Sequence, residues 1–183
     1  MQKINYFELL EEISVLSTRA VFLAAGNSRS ILQKSIVECQ MLQEQSSEKI
    51  CAIENFLFTD FLPPLERRSI AEAAHGMGKI IDCSYQVIFQ KLQRSVYDKR
   101  IKEQETCVLL AQMLEESVGL LKKIKKPNQT PKTKEFREIL LNSRKSARSI
   151  QKRQSPYALC MNELREELSD CFDKIIEIML CNI

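Results

Sequence analysis

Glycine and proline are scarce in this sequence, four and five in 183 residues, and tryptophan is missing altogether. So little punctuation leaves few tight turns. Leu, Ile, Glu, Lys and Gln dominate instead. They lose little rotamer freedom in a helix, so an all-α chain is expected rather than a sheet. No apolar run approaches the ~20 residues that span a bilayer. The longest candidate covers only residues 20–25. The opening stretch MQKINYFELLEE carries acids where a signal peptide has its apolar stretch, so a cytoplasmic protein is expected.

Patterns that carry chemistry are also lacking. No Gly-rich loop cradles a phosphate, and no serine has a base nearby to activate it. His75, the single histidine, has no Cys, His or acid partner at metal-ligand spacing, and it reads as a helix-surface residue. No enzyme is therefore expected. Seven cysteines are enough for a disulfide framework, but the count is odd and none forms a CxxC pair. Cys39, Cys51, Cys83, Cys107, Cys160, Cys171 and Cys181 all fall within helical patterns. They read as small apolar core residues in a reducing compartment.

Charge is present but unevenly placed. The chain is +3 overall, yet residues 122–153 hold twelve Lys or Arg against Glu135 and Glu138, which makes that stretch +10 and the remainder −7. Such a stretch suits an anionic partner or an anionic membrane surface. Nucleic-acid binding is not expected, because Phe136 is the only aromatic within the stretch and no binding motif accompanies it.

Apolar residues recur at three- and four-residue steps along six segments. The first runs from about Asn5 to Ala25, through Phe7, Leu10, Ile13, Leu16, Ala20 and Leu23. Gly26-Asn27-Ser28 ends it, and Ser28 or Ser30 can cap the next helix. The second, from about Ser30 to Phe58, has Leu32, Ile36, Cys39, Leu42, Ile50, Ile53 and Leu57 on its seam, with polar Gln43, Ser46 and Ser47 in its middle. Pro63-Pro64 breaks it. The third runs from about Glu66 to Lys99 through Ile70, Ala74, Met77, Ile81, Ser84, Ile88 and Leu92. Gly76 and Gly78 lie inside it at ~1 kcal/mol each relative to Ala, so they mark a close helix crossing or a lost side chain. The fourth runs from about Glu103 to Ile124. A polar linker follows over residues 125–133, then a fifth segment from about Lys134 to Arg153. Ser155-Pro156 is the last break. The sixth runs from about Tyr157 to Leu180, through Leu164, Leu168, Cys171, Ile175 and Ile178. Short connections imply antiparallel neighbours, and two helices near thirty residues imply an elongated bundle ~45 Å long.

The stretch FLFTDFLPPLERRSIAEAAHGMGKIID, residues 56–82, resembles the signature of PhoU-like proteins, in the branch encoded beside Pit-type phosphate permeases. Phe61, Pro64, Glu66, Arg67 and Ile70 carry the turn between two long helices, and Asn5-Tyr6-Phe7-Glu8 is similar to the family's start. The resemblance covers most of the chain and is strongest over residues 1–100. It implies a single domain over residues 1–183, made of two pseudo-repeated antiparallel three-helix bundles, about 1–100 and 101–183. It also implies an accessory or regulator of phosphate uptake.

Members of that family bind multinuclear metal clusters through Glu/Asp-x-x-x-Asp pairs, since residues i and i+4 share a helix face. Here the matching positions on the second segment are Gln43 and Ser47, and on the third Gly78 and Asp82. On the fifth they are Ala147 and Gln151. Only the sixth keeps acids, at Glu166, Asp170, Asp173 and Glu177. The residual acidic face is therefore Asp82, Glu166, Asp170, Asp173 and Glu177, and no metal cofactor is expected. Arg137, Arg144, Lys145, Arg148 and Lys152 form a basic face for an anion or a partner. Arg144 and Arg148, one turn apart, are placed to meet Glu166 and Asp170 as counter-charges in place of a metal.

The function implied is a non-catalytic regulator of inorganic phosphate transport acting by protein–protein contact. Its partner would be a phosphate permease or another protein, with at most peripheral contact at the inner membrane face, and a homo-oligomer is compatible with it. Two other readings stay open: a divergent helical scaffold or binding module with no phosphate role, and a metal-binding PhoU-like protein.

Overall fold

The computed structural model of this protein describes residues 5–60, 63, 65–93, 101–121 and 155–181. They form five helices: α1 (Tyr6–Ala25), α2 (Arg29–Thr59), α3 (Arg67–Gln93), α4 (Ile101–Leu121) and α5 (Pro156–Cys181). Among the described residues there is no strand. Each helix expected over these residues is present, with most ends moved by one or two positions. The expected end of the third segment at Lys99, the end of the fourth at Ile124, the linker and the fifth segment lie outside the described residues. So do Arg137, Arg144, Lys145, Arg148 and Lys152, and with them the proposed pairing of Arg144 and Arg148 with α5.

Side-chain pairs fix the directions. In α1 and α2, Tyr6 Oη donates to Asp60 Oδ2 at 3.1 Å near one end and Arg19 pairs with Glu38 farther along, so the two run antiparallel. Cys39 Sγ lies 3.8 Å from the Ile81 carbonyl and His75 lies 2.9 Å from Glu54, so α2 and α3 are antiparallel too. Thr18 Oγ1 donates to the Ala111 carbonyl at 3.2 Å, and Gly119 lies beside Glu11, which sets α4 antiparallel to α1. Gln104 donates to Tyr157 Oη at 2.9 Å near the starts of α4 and α5, so these two are parallel. The resulting order places α1 against α2, α3 and α4, and α3 against α1, α2 and α5, while α4 and α5 pack on each other.

With three neighbours each, α1 and α3 bury a stripe wider than the expected seam. Beside the expected seam, α1 buries Ser14, Ser17, Thr18, Val21 and Ala24, and α3 buries Ala73, Ile80 and Val87. The buried hydroxyls bond back to their own helix, Ser14 to the Glu11 carbonyl at 2.7 Å, Ser84 to Ile80 at 2.8 Å and Ser117 to Met113 at 2.7 Å. This lets small polar residues line a close helix contact without an orphaned donor. On α2, which among the described helices touches α1 and α3, one side faces away from both. That explains the exception among the cysteines: Cys39, Cys107 and Cys171 are buried and Cys83 and Cys160 half-buried, but Cys51 is exposed. Burial pushes the thiols of Cys39, Cys83, Cys107 and Cys171 up to about 12, so they carry little thiolate.

Long cations close two helix ends. At the foot of α2, Arg67 donates to the carbonyls of Leu57 at 2.7 Å and Asp60 at 2.6 Å. This gives the Glu66-Arg67-x-x-Ile70 turn a physical role, since Ile70 is fully buried beneath it. At the end of α1, Lys91 Nζ donates to the carbonyls of Ala24 at 2.6 Å and Gly26 at 2.9 Å, and sits 5.8 Å from the centroid of the Tyr157 ring. A cation there meets the negative end of the helix dipole. Ser28 takes the N-cap position of α2 as expected, but its hydroxyl pairs with that of Ser30 at 3.1 Å and not with the helix backbone.

Gly76 marks a close crossing, as its place in mid-helix suggests. A Cβ there would stand 3.1 Å from Cys171 Sγ on α5. Gly76→Val should destabilise the protein by ~2 kcal/mol through overpacking. Cys171→Ala should recover much of that loss in the double variant, as urea denaturation would show. Additive losses would mean that the crossing is not the constraint. A second expectation concerns pH. Burial pulls the Lys91 ammonium down from 10.5 to about 8. Between these values the unfolded chain binds more protons, so the Lys91 contribution is fully present above about 10.5 and is lost as pH falls through about 8. The stability of the wild type relative to Lys91→Met should rise by ~3 kcal/mol across that window, a flat difference being the contrary result.

Candidate functional site

The α2/α3 face brings together residues that are 39 apart in sequence. Gln43 Nε2 donates to Asp82 Oδ1 at 2.7 Å. The carboxylate needs a donor, which sets the amide orientation. Ser47 is exposed one turn further along α2. Gly78 presents no side chain, and a Cβ built on it would stand 2.8 Å from Ile50 Cδ1. Thus the space beside Gly78 is filled by a methyl group from the facing helix. A hard multivalent cluster needs several anionic oxygens. Of the four positions Gln43, Ser47, Gly78 and Asp82 only the last is a carboxylate, already bonded to an amide, so they do not fit such a cluster.

On α5, Glu166, Asp170 and Glu177 are exposed and Asp173 is half-buried. The structure does not gather them with Asp82: among the described residues no group of three or more His, Cys, Asp or Glu is placed to hold a metal ion. Charges of the bundle itself meet part of this row. Lys174 Nζ lies 3.4 Å from Glu177 and 2.5 Å from Glu72 of α3. Lys174 and then Arg68 hold the Glu72 carboxyl below its usual range, and Glu72 in turn raises Lys174. Farther along the crossing, Lys79 stands 3.9 Å from Glu167. Asp170 and Asp173 also engage other groups of the chain. His75 lies on the surface as expected and meets Glu54 across the α2/α3 contact, an acid its own helix could not reveal.

With this geometry in hand, the comparisons separate fold from sequence. Two solved structures are similar over nearly the whole chain. A PhoU-like protein from Shewanella oneidensis MR-1 superposes with a TM-score of 0.63 at 10% identity, covering 98% of this chain and 100% of its own. A candidate PhoU-like phosphate regulatory protein from the same organism gives 0.57 at 9% identity, covering 96% and 92%. The fold is that of PhoU-like proteins. No family model matches the sequence, and no curated protein matches it either. The likeness to these two structures is therefore one of fold, at low sequence identity. No helix among the described residues is long and apolar enough to cross a membrane.

Sequence reasoning missed one feature of this surface, a groove between α1 and α4 with Val15, Phe22 and Leu109 along it. The signal was available: Val15 and Phe22 are seven residues apart and off the buried stripe of α1. The Gln43–Asp82 pair generates its own expectation. Gln43→Glu would put two carboxylates where an amide now donates, raising the pKa of one of them. A raised carboxyl binds its proton more tightly in the folded state, so the stability it contributes is lost as pH rises through that value. Relative to wild type, the variant should lose ~1 kcal/mol between pH 5 and pH 8 in urea denaturation. An unchanged difference would show that the two side chains swing apart.

Proposed function

We propose that this protein is a non-catalytic regulator or accessory of inorganic phosphate transport, acting through protein–protein contact and without a resident metal cluster. The observation that carries the reading is the likeness to PhoU-like structures over nearly the whole length of the chain, one of them a candidate phosphate regulatory protein. The chemistry of the α2/α3 face supports the metal-free part: Gln43, Ser47 and Gly78 supply no carboxylate, and Ile50 closes on Gly78. A phosphate permease is the partner this reading implies, met at the cytoplasmic face of the membrane.

The second reading, a helical scaffold that has left phosphate regulation, draws on the same substitutions, since a family site has been replaced by an internal hydrogen bond. Phosphate uptake separates the two. Deleting the gene in its host should change the initial rate of radiolabelled phosphate uptake, and supplying the intact chain should restore it. Gln43→Leu should restore it equally well, because the face is not a metal site. Unchanged uptake in the deletion strain would favour the scaffold. Stoichiometric iron or manganese in untagged purified protein would overturn the metal-free part.

A further inference from the structure

The groove between α1 and α4 is not used by the candidate site, which lies on α2, α3 and α5. It is an open trough of about 620 Å³, within the size range of sites that hold a drug-sized ligand or one face of a helix. Its walls carry exposed apolar side chains. Val15 is 46% exposed, Phe22 47% and Leu109 44%, so three large apolar side chains stand half in water along one trough. Isolated apolar residues on a surface are ordinary, but a lined-up set within a concavity is not.

The trough is also graded. Because α1 and α4 are antiparallel, Phe22 and Leu109 lie toward one end and Glu11 and Gly119 toward the other, where a Cβ on Gly119 would be 3.9 Å from Glu11 Oε1. Glu115 and Glu116 line that same end region of α4. Among the described residues every charged one lining the trough is acidic, and Arg19, the cation of α1, turns the other way to pair with Glu38 of α2. Glu11 and Glu116 also make contacts within the chain, so the inference draws on the single sign of the lining and not on vacant carboxylates. Gly119 leaves that end open, having no side chain to fill it.

From this charge and shape we propose that the α1/α4 groove docks a basic amphipathic helix of a partner protein, its apolar face on Phe22, Val15 and Leu109 and its Lys or Arg side chains toward Glu115 and its neighbours. Helix-in-groove recognition works by this division of labour, with apolar anchors for affinity and charge for register. Cytoplasmic loops and ends of membrane proteins are enriched in Lys and Arg, so the groove suits a juxtamembrane helix of a transporter. In that respect the inference rests on the contact-based function proposed above, although the docking itself does not require it.

The test uses the full chain and a fluorescein-labelled 18-residue Leu/Lys amphipathic peptide, with a Leu/Glu peptide of the same apolar face as its counterpart. Fluorescence anisotropy should show the Leu/Lys peptide binding with Kd on the order of 10 µM at low salt and the Leu/Glu peptide at least about tenfold more weakly. Phe22→Ser and Glu115→Lys should each weaken Leu/Lys binding by about tenfold. Gly119→Leu serves as the second variant should Phe22→Ser not fold: it adds a side chain to the open end, removes a helix-weakening glycine, and should block the peptide. Equal binding of the two peptides, or Leu/Lys binding that ignores Gly119→Leu and Glu115→Lys, overturns the proposal. Sedimentation showing a dimer that Phe22→Ser abolishes also overturns it, since the occupant would then be a second copy of this chain. Loss of groove binding with the uptake phenotype intact removes the docking site alone. Groove binding without an uptake phenotype removes the phosphate role and leaves the docking site standing.

Discussion

At Gly76 the backbone of α3 comes so near α5 that a single added carbon would press on Cys171. Much of the bundle depends on that approach. With α3 drawn against α5, the helix has neighbours on several sides, and Ile70, Ala73, Met77, Ile80, Ile81, Val87 and Ile88 are all shut from water. Two ion pairs, Glu72 with Lys174 and Lys79 with Glu167, flank the crossing. They are surface pairs and contribute little to stability themselves. Their role is to set the register of a contact whose strength comes from apolar burial.

How far the fold was legible follows from this arrangement. Helix positions were readable because Pro63-Pro64 and Gly26-Asn27 stop helices for local steric reasons, and a local rule needs no knowledge of the partner. The seam of α2 was readable because that helix has one buried side. Ser84 on the seam of α3 was readable as well, but the full buried surface of α1 was not, since a helix with three neighbours buries Ser14 and Ser17 as readily as leucine once each hydroxyl bonds to its own backbone. The caps made by Lys91 and Arg67 were equally hidden. Each reaches a helix end supplied by another element, so nothing in its own neighbourhood announces it.

The candidate site divides in the same way. That Gln43 and Asp82 belong to one face was implied by resemblance, and the fold does bring them into contact. That Ile50 occupies the space over Gly78 could not be read, because it depends on the side-chain register of two antiparallel helices. The amide donor of Gln43 engages Asp82 directly, so that carboxylate is held by a hydrogen bond within the protein. The acids of α5 are offset in part by Lys174.

The buried hydroxyls have a mechanical consequence. Because Ser14, Ser17, Ser84 and Ser117 bond within their own helices, the buried interior among the described residues has few polar ties between one helix and the next, Thr18 to Ala111 and Gln104 to Tyr157 being the clearest, while pairs such as Gln43 with Asp82 and Arg19 with Glu38 tie the surface. Apolar contact resists separation strongly but resists small axial displacement weakly, as it has no direction. Two further directed ties sit at opposite ends of α3, where Arg67 holds the foot of α2 and Lys91 holds the end of α1. They fasten α3 like a tie-rod to the ends of its two neighbours, so an axial slide of α3 is opposed at both ends and not by apolar contact alone.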